Sequence, residues 1–155
     1  MSPVEMAPAE RARLLDAYVD HWRWKYGNAR VGDIGEIGSF RLLDEREARA
    51  ESAWWAVEAL MKLGFHDPAA LLPFVLDMAE RDDPEDALIY FAAGPAENYL
   101  RSPAARDGLP AIEAAWRRSA RMRELLAGVW IEPSGMDAEV FARCRALGCH
   151  VVGEP

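Results

Sequence analysis

Thirteen residues near the middle of the chain constrain its fold most: Leu88-Ile89-Tyr90-Phe91-Ala92-Ala93-Gly94-Pro95-Ala96-Glu97-Asn98-Tyr99-Leu100. An apolar run passes through two alanines into a Gly-Pro break and then resumes. Glycine tolerates backbone conformations closed to other residues, and proline fixes φ while lacking an N–H. The stretch therefore predicts a tight helix-to-helix junction, with Gly94 outside helix and Pro95 as the first residue of the next one. Glu97 would then be the third helical residue, where a carboxylate meets unpaired N–H groups. Ala92 and Ala93 would let helices approach closely.

Other helix starts read similarly. Pro8 fits a first turn, followed by Leu15, Tyr18, Val19, Trp22 and Tyr26 at helical spacing up to Gly27-Asn28. Asp44-x-x-Glu47 resembles a capping box, and Ala50, Ala53, Trp54, Val57, Leu60 and Met61 then share a face up to Gly64. Asp67-Pro68 and Asp83-Pro84 read as N-cap and first-residue pairs, and Pro110 as another helix start. Ser119 can cap a separate piece carrying Met122, Leu125, Leu126, Val129 and Trp130. A last helix runs near Met136 to Leu147, with Gly148 as its stop. The expected fold is all-α: one domain over 1–155, a compact bundle of short antiparallel helix pairs, loosely like a helical repeat. No sheet is expected beyond a short terminal pairing. The exception to helix is residues 28–43, where Val31, Ile34 and Ile37 alternate with Gly32, Gly35 and Gly38 in a three-residue rhythm. That period fits neither helix nor strand and predicts an ordered Gly-rich loop.

The junction and Gly128-Val129-Trp130, about thirty residues later, carry a resemblance. The chain resembles, over roughly Trp54 to Leu147, a small bacterial all-helical domain family of unknown function. Members of that family carry an Ala-Ala-Gly-Pro-Leu-Glu-Asp/Asn-Leu-Leu core, and often Asp-Pro before a final Val-Trp helix. Here Ala96 replaces the leucine, and Ser119-Ala120 stands where Asp-Pro is expected. The resemblance implies a helical fold and supplies no catalytic residue.

Charge narrows the function classes. The net charge is -8. Residues 64–100 hold eight acids against Arg81, or -7; residues 101–131 hold six arginines against three acids, or +3. An acidic total argues against a nucleic-acid partner, which needs a positive footprint. The first eight residues have neither a basic patch nor an apolar run, and no stretch is long and apolar enough to span a membrane. A cytoplasmic protein without a membrane partner is expected.

Chemistry-bearing motifs are scarce. Cys144, Cys149 and His150 lack the four-ligand spacing of structural zinc, and Cys144 lies on an apolar helical face. The acids at 82–86 lack the alternate spacing of a calcium loop. No nucleophile elbow or His-Glu-x-x-His occurs. No catalytic residue, metal or cofactor is expected, and enzymatic activity is not favoured.

Tryptophans are the better clue. Trp22, Trp54, Trp116 and Trp130 fall on apolar stripes and are expected in the core. Trp24 and Trp55 lie off-stripe and are candidate contact anchors, together with Asp82, Asp83 and Asp86 as an acidic surface. The leading reading is a protein-interaction module, an adaptor or immunity-type protein that masks a basic partner. The alternative is a small-ligand binder or enzyme with a pocket near the Gly-rich loop, Glu97 and Asn98. A third reading is an oligomer formed through Arg117, Arg118 and Arg121.

Overall fold

The computed structural model describes residues 5–27 and 39–155, with side chains from Glu45 onward in the second stretch. Two compact units emerge, Met6–Ala59 and Leu60–Pro155. The fold is an all-α bundle with one very small sheet. Among the described residues no helix is long and apolar enough to cross a membrane.

In the first unit, α1 (Pro8–Lys25) opens on Pro8, and the Glu10 carboxylate accepts the Ala7 N–H at 3.3 Å. Leu14, Leu15, Tyr18, Val19 and His21 form its buried face. At its end the Arg46 guanidinium donates to the carbonyl oxygens of Gly27 and, at 3.3 Å, of Arg23. A Cβ on Gly27 would lie 2.9 Å from the Arg23 oxygen, so only glycine fits there.

Helix α2 (Ser39–His66) starts before the expected Asp44. No glycine or proline intervenes between Ser39 and Gly64, so nothing stops a helix in that stretch. Residues 39–43 are thus helical rather than loop; the rest of the Gly-rich segment, 28–38, lies outside the described residues. Gly64 does not end α2. The helix stops where Asp67, extended at φ -150° by the proline after it, breaks the α conformation.

The second unit holds a 3-10 turn (Pro68–Leu71), α3 (Leu72–Glu80), α4 (Glu85–Phe91), a π turn (Ala92–Ala96), α5 (Glu97–Arg101), α6 (Ala105–Arg118), α7 (Ala120–Ala127) and α8 (Ala138–Ala146). Strand β1 (Trp130–Ile131) pairs in parallel with β2 (His150–Val151). Helix α7 packs on α3, α4 and α6 through Met122, Leu125 and Leu126, all fully buried. Its start was legible: the Ser119 hydroxyl accepts the Met122 N–H at 3.2 Å. Its end was not, since α7 stops at Ala127 and Trp130 belongs to a strand.

The expected junction is absent. Backbone from Glu85 to Arg101 stays helical, and Pro95 lies inside the π turn rather than opening a helix. Gly94 has no positive φ. The physical reason is a four-residue rhythm: 87/88, 91/92, 95/96 and 99/100 are the buried pairs. An α-helix advances about 100° per residue, so a four-residue repeat drifts about 40° per step. Three steps drift about 120°, which one extra residue in a π turn largely absorbs. The wider turn also accommodates a proline ring that would clash with the carbonyl four residues back in an α-helix. Ala92 does allow close approach, because a Cβ added to Gly128 would sit 3.1 Å from the Ala92 Cβ. Ala93 faces solvent.

Two more proline expectations fail. Pro84 caps α4 instead of being its first residue, and Asp83 turns to Arg81 at 2.7 Å instead of capping. Pro110 lies inside α6, where it and Arg106 are exposed and water can take the place of the missing N–H. Asp67-Pro68 keeps its expected N-cap and first-residue roles, at the 3-10 turn.

Gly108 makes a sharper demand. A Cβ there would lie 1.8 Å from the Tyr99 hydroxyl oxygen and 2.8 Å from Leu72, and Tyr99 is buried with its hydroxyl donating to the Ala104 carbonyl at 3.2 Å. Overpacking of about 1–3 kcal/mol outweighs the gain of roughly 1 kcal/mol in helix propensity. Gly108→Ala should therefore destabilise in urea, and Tyr99→Phe in the same chain should recover part of the loss. Burial, then Asp107, pushes the Tyr99 hydroxyl up to about 12. The folded state holds this proton more tightly than the unfolded chain. The stabilisation is complete below the unfolded value near 10 and is lost as pH rises through about 12. Urea titrations should show a stability decline between those values that is shallower in Tyr99→Phe.

Candidate functional site

Glu97 and Arg101 stand one turn apart on α5 and hold the two ends of one residue. The Glu97 Oε1 accepts the Trp130 N–H at 2.8 Å, and the Arg101 guanidinium donates to the Trp130 carbonyl at 3.1 Å. Arg101 also lies 3.5 Å from Glu132. On the other edge of β1, His150 N donates to Val129 O at 2.8 Å and Val152 N to Ile131 O at 2.9 Å. In a parallel pair, alternate residues direct their polar groups to opposite edges. Trp130 thus directs its N–H and C=O away from β2, and two α5 side chains satisfy them. Glu97 is a strand clamp, not the helix-start acid the sequence suggested.

Asn98 faces elsewhere. It lines an open cleft of about 310 Å³ with Arg101, Ser102, Met61, Phe65, Pro68 and Pro103. Phe65 is 81% exposed. The expected Glu97–Asn98 pair is therefore split, with Glu97 taken by β1 and Asn98 left to the cleft.

A second open cleft, of about 480 Å³, lies in the Met6–Ala59 unit and is lined by His21, Lys25, Tyr26, Glu47, Ala50, Glu51 and Trp54. His21 is buried, with Nδ1 2.8 Å from the Ala50 carbonyl and its ring edge-on to Trp54 at 5.3 Å. A carbonyl only accepts, so Nδ1 carries a proton. Glu47 and Glu51 share this cleft with Lys25, the Trp54 indole and the Tyr26 phenol, so it carries charges of both signs beside aromatic faces. The spacing does place His21 on the buried face, three residues after Tyr18 and seven after Leu14; what it does not give is the Ala50 carbonyl as partner.

The tryptophans correct the stripe argument. Trp22 and Trp116 are only partly buried, and Trp54 and Trp130 are 44% and 49% exposed. A stripe places residues on one face, but burial needs a covering neighbour. Of the proposed anchors, Trp24 is partly buried with the Arg49 guanidinium 4.5 Å over its ring, and Trp55 is 49% exposed. Asp82 and Asp86 are exposed, whereas Asp83 is tied to Arg81 and its carbonyl accepts from Arg121 at 2.7 Å. Of the arginine face, Arg117 and Arg118 are exposed and Arg121 is drawn onto that carbonyl.

Residues 44–150 match DUF6869, a family of unknown function. The chain belongs to that family. No curated protein and no solved structure matches it. The DUF6869 region takes in the Glu97–Trp130–Arg101 clamp and the Asn98 cleft, and leaves α1, with its His21, outside. Within that region, Glu97→Ala should cost about 1 kcal/mol in urea unfolding, the scale of one lost hydrogen bond. Hydrogen exchange at the Trp130 amide should quicken, and Glu97→Gln, which keeps an acceptor oxygen, should stay close to the parent.

Proposed function

We propose that this protein is an interaction module, of adaptor or immunity type, that takes a basic segment of a partner protein on the exposed face of α2. One observation carries the reading. Glu47, Glu51, Trp54, Trp55 and Glu58 are all exposed. At about 100° per residue they fall within one arc of roughly 100° on the helix. Glu47 and Glu51 beside two indoles suit lysine and arginine side chains, which combine ion pairing with stacking on an aromatic face, and Lys62 stands at the C-terminal end of the same arc. Tryptophan is favoured as an interface anchor because it buries much area at little cost in torsional freedom. Exposed Asp82, Glu85 and Asp86 in the other unit add negative potential that speeds encounter with a basic partner. A cytoplasmic setting fits this reading.

The second reading, a small-ligand site, is favoured by Asn98, Arg101 and Ser102 lining one cleft. One experiment separates the two. The full chain, Trp55→Ala, Glu47→Lys/Glu51→Lys and Asn98→Ala/Arg101→Ala are immobilised in parallel, and retained proteins are compared after circular dichroism confirms folding. The expected result is a partner held by the parent, with affinity reduced at least about tenfold in the first two variants. Its association should slow as salt screens charges over roughly 8–10 Å. A partner held equally by the parent and both α2 variants would overturn the proposal, and loss only in the third would move the site to the α5 cleft.

A further inference from the structure

We propose that Cys144 and Cys149 form a reversible redox-modification site: a dithiol that a peroxide converts to an intramolecular disulfide across the end of α8. The end of this helix brings the two thiols together. Cys149 N donates to Cys144 O at 3.1 Å and Gly148 N to Arg145 O at 3.1 Å, with Gly148 at φ +96°. This is the paired closure in which a glycine reverses the chain and the residue after it folds back on the last turn. The two positions that such a closure brings together usually carry apolar side chains; here both are cysteines. Both cysteines are free and buried, Cys144 completely and Cys149 to 6% exposure. Six residues thus bring two free cysteines together at one helix end, a site that neither the α2 face nor either cleft uses.

The contact also divides the thiols chemically. The Cys149 hydrogen bond and, after it, Arg143 lower the Cys144 pKa against the opposing effect of burial, while the Cys149 pKa is raised. Cys144, the thiol whose pKa is lowered, is assigned the attack on the oxidant and Cys149 the resolving step. The Cys144 sulfur attacks one peroxide oxygen, the O–O bond breaks, and the leaving oxygen departs as water, with sulfenic acid on Cys144. The Cys149 sulfur, losing its proton, then displaces the sulfenic oxygen as a second water, and the S–S bond forms. Two thiols have given two electrons and two hydrogens to one peroxide. His150 follows Cys149 directly, pairs with Trp130 in the sheet and lies 4.2 Å from its ring. The exposed Trp130 is therefore one residue removed from the thiol pair, close enough to report on it.

The full chain, reduced and then freed of reductant, is treated with hydrogen peroxide, quenched with catalase, unfolded, alkylated and digested with trypsin. Trypsin cuts after Arg143 and Arg145, so a disulfide would hold the Cys144-Arg145 dipeptide to residues 146–155. The expected result is that linked species, lighter by two hydrogens than the sum of its parts, with both alkylation sites lost together and restored by dithiothreitol. Cys144→Ser and Cys149→Ser should each abolish it, and tryptophan fluorescence should change on oxidation in the parent only. Two thiols that stay alkylatable, a bond between two chains, or separate oxidation of each sulfur without a link would each overturn the proposal.

Discussion

The hydrogen bond from the Trp130 amide to the Glu97 carboxylate organises the C-terminal part of the protein. Strand β1 is two residues long, and so short a parallel pair does not hold its register alone. Among the described residues its second edge has no strand beside it. Here Glu97 and Arg101, one helical turn apart, satisfy the N–H and C=O of Trp130 in place of one. That arrangement depends on the π turn at Ala92–Ala96, which resets the helical phase so that 95/96 and 99/100 stay buried. The Gly-Pro pair is a phase corrector within a helix.

Charge follows a similar logic of internal use. The arginines of 101–131 do not form one free basic face. Arg101 meets Glu132, Arg106 meets Asp137 and Glu139, and Arg121 donates to the Asp83 carbonyl. Such exposed pairs contribute about 0–1 kcal/mol each, so their effect lies in neutralisation and orientation more than in stability. Exposed carboxylates are spread over the described residues, and two groups of them are Glu47, Glu51 and Glu58 on α2, and Asp82, Glu85 and Asp86 before and within α4. The α2 group alternates with two exposed tryptophans, which is why the interaction proposal rests there.

Legibility divided along the distance over which each interaction acts. Pro8 as a helix start, Ser119 as a cap and Gly148 as a stop depend on a few neighbouring atoms, and the sequence pattern placed them. The continuous helix through Gly94-Pro95 was also written in the chain, in the four-residue recurrence of Ala87-Leu88, Phe91-Ala92, Pro95-Ala96 and Tyr99-Leu100. Reading Gly-Pro as punctuation hid it, because local propensity was given more weight than period. Of the site residues, the off-stripe position of Trp24 and Trp55 left their exposure open; the structure half-exposes Trp55 and partly buries Trp24. Trp54 and Trp130 were expected in the core and are exposed, since a stripe gives direction and not cover.

By itself the sequence determined an all-α fold, the helix ends at Pro8, Ser119 and Gly148, and a net charge of -8, because each follows from spacing, capping and composition. It also carried enough pattern to place residues 44–150 in DUF6869. Tertiary structure alone decided that Glu97 reaches an amide thirty-three residues away. The same holds for the Ala50 carbonyl as the partner of His21. It likewise split Asn98 from Glu97 and left Trp54 uncovered. These outcomes depend on which surfaces remain after packing, and that is a property of the assembled core rather than of any window of the chain.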